Sequence, residues 1–101
     1  MNFRVELHPS VQDDLSEALK WYDEKVPGLG KRFINAVDER FHELSSHPER
    51  YPKQKGEFRQ VSTKVFPYLI IYEILTKEKV VFISCVFHKR RNPKKKFSRR
   101  K

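Results

Sequence analysis

Apolar residues recur along this 101-residue chain with two distinct periods, and the change from one to the other marks its architecture. Residues 2–7 alternate, with Phe3, Val5 and Leu7 against Arg4 and Glu6, which predicts a short half-buried strand. Beyond Pro9 the spacing becomes helical: Val11, Leu15, Ala18, Leu19 and Tyr22 share one face. Ser10 stands where an N-cap belongs, and Asp13 and Asp14 put negative charge in the first turn, where the helix dipole favours it. The segment KVPGLG, residues 25–30, interrupts this helix, because Pro27 has no amide proton and glycine is a poor helix former. A second helical stripe follows in Leu29, Phe33, Ala36, Val37, Phe41 and Leu44, and His47 and Pro48 end it. Two amphipathic helices joined by a short break bury their stripes as an antiparallel hairpin. Trp21 and Tyr22 are expected at that helix-helix contact.

After a polar loop over residues 48–56 the period falls to two. Strands are predicted over residues 58–63, 68–75 and 80–87, the last two joined by a four-residue hairpin loop at residues 76–79. Pro67 sits at a strand start, which a ladder tolerates. The order strand, helix, helix, then three strands predicts an α+β fold: an N-terminal strand, a two-helix hairpin and a three-stranded antiparallel meander, with the helices on one face of an antiparallel-rich sheet. Tyr68, Ile70, Tyr72 and Ile74 form one stripe of the middle strand and Leu69, Ile71 and Leu75 the other; both read as core or partner-covered surface, not as a base-stacking platform. In the last strand, parity places Phe82, Ser84, Val86 and His88 on one side. Past Asn92 and Pro93 only Phe97 is apolar, so the expected domain is residues 1–93, with a frayed basic tail at residues 94–101.

Charge sharpens this division. Residues 89–101 carry nine Lys or Arg and no acid, while residues 1–88 carry thirteen basic and thirteen acidic residues, so the whole formal net charge of +9 lies at the C-terminal end. Such a polarised field suits an anionic partner. The single cysteine, Cys85, precludes an internal disulfide framework and reads as an inert buried thiol; no Cys/His spacing resembles a zinc site, and no cofactor is expected. The N-terminal residues lack the apolar run of a signal peptide, and no stretch approaches the roughly 18 apolar residues of a membrane span, so a cytoplasmic location is expected, without a membrane or small-molecule partner.

Three segments, WYDEKVPGLGKRF (residues 21–33), FPYLIIYEI (66–74) and VFHKRRNP (86–93), together resemble the RelE/ParE superfamily of bacterial toxins from type II toxin-antitoxin pairs. The resemblance spans about residues 2–93. It implies a small cytoplasmic toxin neutralised by a cognate antitoxin. It also implies one of two activities: RelE-like members cut mRNA in the ribosomal A site, whereas ParE-like members poison DNA gyrase without hydrolysis.

Metal-free RNA cleavage needs a base for the 2′-hydroxyl, cations for the developing phosphate charge and a proton donor for the leaving oxygen. The RelE-like pattern implies two lysines on the first strand of the C-terminal sheet and an arginine on the next. This chain has Gln60, Ser62 and Leu69 at the matching positions, and Lys89 is the remaining cation. Substitutes for a ribonuclease are His88, Arg91, Arg59 and Tyr68, with His88 as base; the alternatives are a structural or solvated histidine and a solvated Arg59. The HxxR spacing of His88 and Arg91 fits the ParE-like branch better. Lys89, Arg90, Arg91, Lys94, Lys95, Lys96, Arg99 and Arg100 are the expected target-binding or polyanion-binding residues. Neutralising six phosphates gives affinity that falls by about three orders of magnitude between low and moderate salt. The expectation is therefore a ParE-like toxin acting on DNA gyrase. The alternatives are a ribosome-dependent mRNA endonuclease and, outside toxins, a basic RNA-binding module.

Overall fold

The computed structural model of the protein describes residues 2–90 and Arg99. Its elements run β1 (Arg4–Leu7), α1 (Val11–Lys25), α2 (Leu29–Ser46), β2 (Lys53–Lys55), β3 (Phe58–Ser62), β4 (Tyr68–Leu75) and β5 (Val80–His88), and the five strands form one sheet in the order β1-β5-β4-β3-β2. Strands β2 to β5 form an antiparallel meander. Strand β1 runs parallel to β5, from Arg4 opposite Val80 to Leu7 opposite Ile83, so the sheet is mixed. Parallel neighbours need a long crossover. Here the helix hairpin carries the chain across one face to the far edge, and the meander returns until its last strand lies beside the first.

Several local expectations change. Ser10 has helical backbone angles and makes no side-chain cap; its N–H donates to His8 Nδ1 instead, at 3.1 Å. The interruption between the helices shrinks to residues 26–28, because Gly28 takes a left-handed φ of 88° and α2 starts at once. Asp23 supplies the cap, its Oδ1 accepting the Gly30 N–H at 2.8 Å. The expected loop at residues 48–56 contains the short edge strand β2, whose Lys53 and Lys55 place charge where an edge would otherwise invite pairing.

The helices bury Val11, Ala18, Tyr22, Phe33, Val37 and Leu44 against the sheet residues Val61, Tyr68, Ile70, Tyr72, Val81, Ile83 and Val86. Successive helix positions lie about 100° apart, so Trp21 and Tyr22 cannot both face that core. Tyr22 enters it, against Phe33, Phe66 and Tyr68. Trp21 does not mark the helix contact as expected: it is 43% exposed, with the Lys25 ammonium 4.9 Å from its ring centre. On the sheet face away from the helices Phe58, Ile71 and Cys85 form a second buried cluster, flanked by Phe87.

Strand parity in β5 also departs from simple alternation. Ile71 lies opposite Cys85, but Tyr72 lies opposite Ile83, so Ser84 is an extra residue. This β-bulge shifts the alternation by one. Phe82, paired with Glu73, falls on the open face, while Val86 and His88, paired with Ile70 and Tyr68, fall on the helix face. The expected common side for Phe82, Ser84, Val86 and His88 is therefore broken at Ser84.

Candidate functional site

The register puts the described candidate residues on one face and the positions matched to nuclease cations on the other. Directly paired strand residues project the same way. Arg59 pairs with Tyr72 and His88 with Tyr68, which puts Arg59, Tyr68 and His88 on the helix face. Gln60 pairs with Ile71 and Ser62 with Leu69, which puts the three positions matched to nuclease cations on the open face, beside Phe58, Ile71, Cys85 and Phe87. The two sets stand back to back across the sheet.

On the helix face the candidates do not converge. Tyr68 is 4% exposed, and its ring meets the His88 ring edge-on at 5.3 Å. His88 Nδ1 accepts the Arg90 N–H at 3.1 Å. The small notch beside it, about 90 Å³, is lined by Asp14, Glu17, Ala18, Tyr68, Val86, Phe87 and His88, so its formal charges are acidic. Arg59 lies at the other end of the sheet: Tyr72 is four residues from Tyr68 along β4, about 13 Å at the rise of a strand, and β3 and β5 flank β4 on opposite sides. Its guanidinium donates to the Tyr51 carbonyl at 2.6 Å. Of the expected polyanion-binding residues, Lys89 extends the ladder by donating its N–H to the Pro67 carbonyl at 2.9 Å, and Lys89 and Arg90 are both exposed. Arg91, Lys94, Lys95, Lys96 and Arg100 lie outside the described residues, and so does the stretch expected to fray, residues 94–101, apart from Arg99. Arg99 is engaged on α1: its guanidinium donates to Asp14 Oδ2 at 2.6 Å and Oδ1 at 3.2 Å.

A polar network missed by period reading braces the end of the sheet near Arg59. Arg40 donates to the Ser62 carbonyl, to Glu43 and to Tyr51; Glu43 also accepts from the Tyr51 hydroxyl and from Arg50. Burial would push the Glu43 carboxyl up, but hydrogen bonds from Tyr51, Arg50 and Arg40 hold it down at about 2. Tyr72 donates its hydroxyl to the Pro48 carbonyl at 2.8 Å, and burial pushes its phenol up to about 12 against the opposing charge of Arg59. These bonds fasten residues 47–52 between α2 and the sheet. The only sequence signal for them was the run of polar and aromatic residues around HPERYP, residues 47–52.

Residues 5–93 match the family described as ParE toxin of type II toxin-antitoxin system, parDE. The chain belongs to the ParE toxin family. It is 28% identical over 97 residues to Toxin ParE2 of two Mycobacterium tuberculosis strains, CDC 1551 / Oshkosh and H37Rv, covering 92% of this chain and 88% of each relative. Its fold is that of a chain from the chromosomal ParDE system of P. aeruginosa, with a TM-score of 0.73 at 11% identity over 85% of this chain and 95% of that one. A chain of the toxin-antitoxin complex RelBE2 from Mycobacterium tuberculosis gives a TM-score of 0.62 at 22% identity, covering 87% and 99%. The isolated E. coli RelE toxin gives 0.59 at 18% identity, covering 90% and 88%. Within this ParE-family frame, WYDEKVPGLGKRF builds the helix hairpin through Tyr22, Asp23 and Gly30, while FPYLIIYEI and VFHKRRNP bring Tyr68 and His88 together. The residues that carry the resemblance are thus largely those that build the scaffold.

Proposed function

We propose that this ParE-family toxin acts in the cytoplasm by binding and inhibiting DNA gyrase, without cleaving nucleic acid, and that a cognate antitoxin neutralises it. One observation carries the reading: Arg59, Tyr68 and His88 lie on the opposite sheet face from Gln60, Ser62 and Leu69, and the acids Asp14 and Glu17 line the notch beside His88. A phosphodiester transition state gains negative charge and is stabilised by converging cations, not by carboxylates. The neutral body with nine cations at its C-terminal end supports a division of labour. The domain of residues 1–93 selects the target, and Lys89, Arg90, Arg91 and the cations of residues 94–101 other than the Asp14-paired Arg99 add affinity for a polyanion such as gyrase-bound DNA. An antitoxin partner is supported by the ParDE and RelBE2 pairs that share this fold.

Purified toxin is tested for inhibition of gyrase supercoiling and, separately, for cleavage of mRNA on translating ribosomes. Gyrase inhibition that survives His88→Ala is the expected result. Ribosome-dependent cleavage abolished by His88→Ala would reverse the assignment in favour of a nuclease.

A further inference from the structure

Strand β5 is nine residues long, but β1 covers only part of its outer side. The parallel pairing ends at Leu7 opposite Ile83, with the His8 N–H donating to the Ile83 carbonyl at 2.9 Å as its last rung. Beyond it, Ser84 to His88 continue at the margin of the sheet. Lys89 donates to Pro67 in β4's direction, so by ladder alternation the backbone groups of Cys85 and Phe87 also face β4. The Val86 N–H and the Ser84 carbonyl face outward, away from β4. A strand with this geometry is a template for another strand.

Among the described residues, two side chains occupy that outward side. Asp14, from the first turn of α1, accepts the Val86 N–H on its Oδ2 at 3.2 Å. Arg99, from the far end of the chain, grips the same carboxylate through both terminal nitrogens, at 2.6 and 3.2 Å, and its Nη1 reaches the Ser84 carbonyl at 3.5 Å. The Val86 N–H and the Ser84 carbonyl are thus met by an acceptor and a donor from elsewhere in the chain. The ion pair is bidentate, with side chains only 27% and 17% exposed, so salt screens it less than an open surface pair.

We propose that Arg99 and Asp14 form an intramolecular latch that closes the outer edge of β5 at Ser84 and Val86, so that no further strand adds there until Arg99 leaves. The latch also anchors the basic tail: Arg99 is spent on the fold and is not one of the cations offered to a polyanion. Release needs a competitor for the Asp14 carboxylate or a loss of the guanidinium.

The full chain is compared with Arg99→Gln, Asp14→Asn and the double variant. Brief trypsin treatment is read by mass at Lys94, Lys95 and Lys96, so that the site lost at residue 99 does not count. Each single variant is expected to be cut there several-fold faster than the wild type, and the double variant no faster than the faster single one. Sedimentation equilibrium of Arg99→Gln is expected to give a weight-average mass that rises with concentration more steeply than that of the wild type. Arg99→Gln carries the test alone if Asp14→Asn loosens α1. Cleavage of Arg99→Gln at the wild-type rate, or effects that multiply in the double variant, would overturn the latch. Faster cleavage with unchanged self-association would overturn its role at the strand edge.

Discussion

At Gly30 the two helices pack with no room for a side chain, and replacing it tests the hairpin directly. A Cβ added there would lie 2.5 Å from the Leu19 carbonyl oxygen and 2.9 Å from the Asp23 carboxyl carbon and its Oδ1. The Asp23 side chain can turn away, but only by giving up the cap it provides to the Gly30 N–H at 2.8 Å. The Leu19 oxygen is backbone, held in α1, so the helices themselves must part by about 0.9 Å to restore an ordinary contact. Overpacking of this kind costs about 1–3 kcal/mol, and loss of the cap about 1 kcal/mol more. Alanine regains about 1 kcal/mol in helix propensity. Gly30→Ala is therefore expected to lose about 2 kcal/mol, which for a domain of this size lowers Tm by roughly 8–16 °C. Circular dichroism melts and urea titrations of the two proteins measure it. Asp23→Ala on the same background separates the contributions: if the Leu19 oxygen is the decisive contact, the double variant recovers none of the loss. A Gly30→Ala protein that melts at or above the wild-type temperature would refute the close approach and the account of the hairpin built on it.

Glu43 has a folded pKa held at about 2 against an ordinary 4.5, so its stabilising contribution is present above pH 4.5 and is lost as pH falls toward 2. A shift of that size corresponds to roughly 3 kcal/mol. Glu43→Gln should unfold at lower urea than the wild type at pH 7, with the gap closing between pH 4.5 and 2; a gap independent of pH would contradict the network. Tyr72→Phe leaves the Pro48 carbonyl without its donor and should cost about 1–2 kcal/mol, read as a lower urea midpoint with an unchanged slope. Ending the chain at Pro93 removes six cations. The plot of log affinity for duplex DNA against log salt should then become shallower by about 5 if all six meet phosphates, or by about one less if Arg99 stays latched. A slope that does not change would take the tail out of polyanion binding.

The hydrophobic periods alone located the two helices and three of the four strands of the meander, with Tyr68–Leu75 read to the residue, because a period of two or 3.6 is set by local backbone geometry. Three short segments were enough to indicate the toxin superfamily, since residues such as Tyr22, Asp23, Gly30 and Tyr68 make contacts that build this fold. Other features depend on contacts between residues distant in the chain, which no local period records. Only the tertiary structure placed β1 parallel to β5, put Trp21 outside the core beside the buried Tyr22, and inserted Ser84 as a bulge that turns His88 toward the helices. It alone set Arg59, Tyr68 and His88 on the sheet face opposite Gln60, Ser62 and Leu69 and joined Asp14 to Arg99, 85 positions apart. A ladder tolerates one extra residue, and an ion pair forms wherever the fold brings charge together, so neither leaves a mark in the amino-acid pattern.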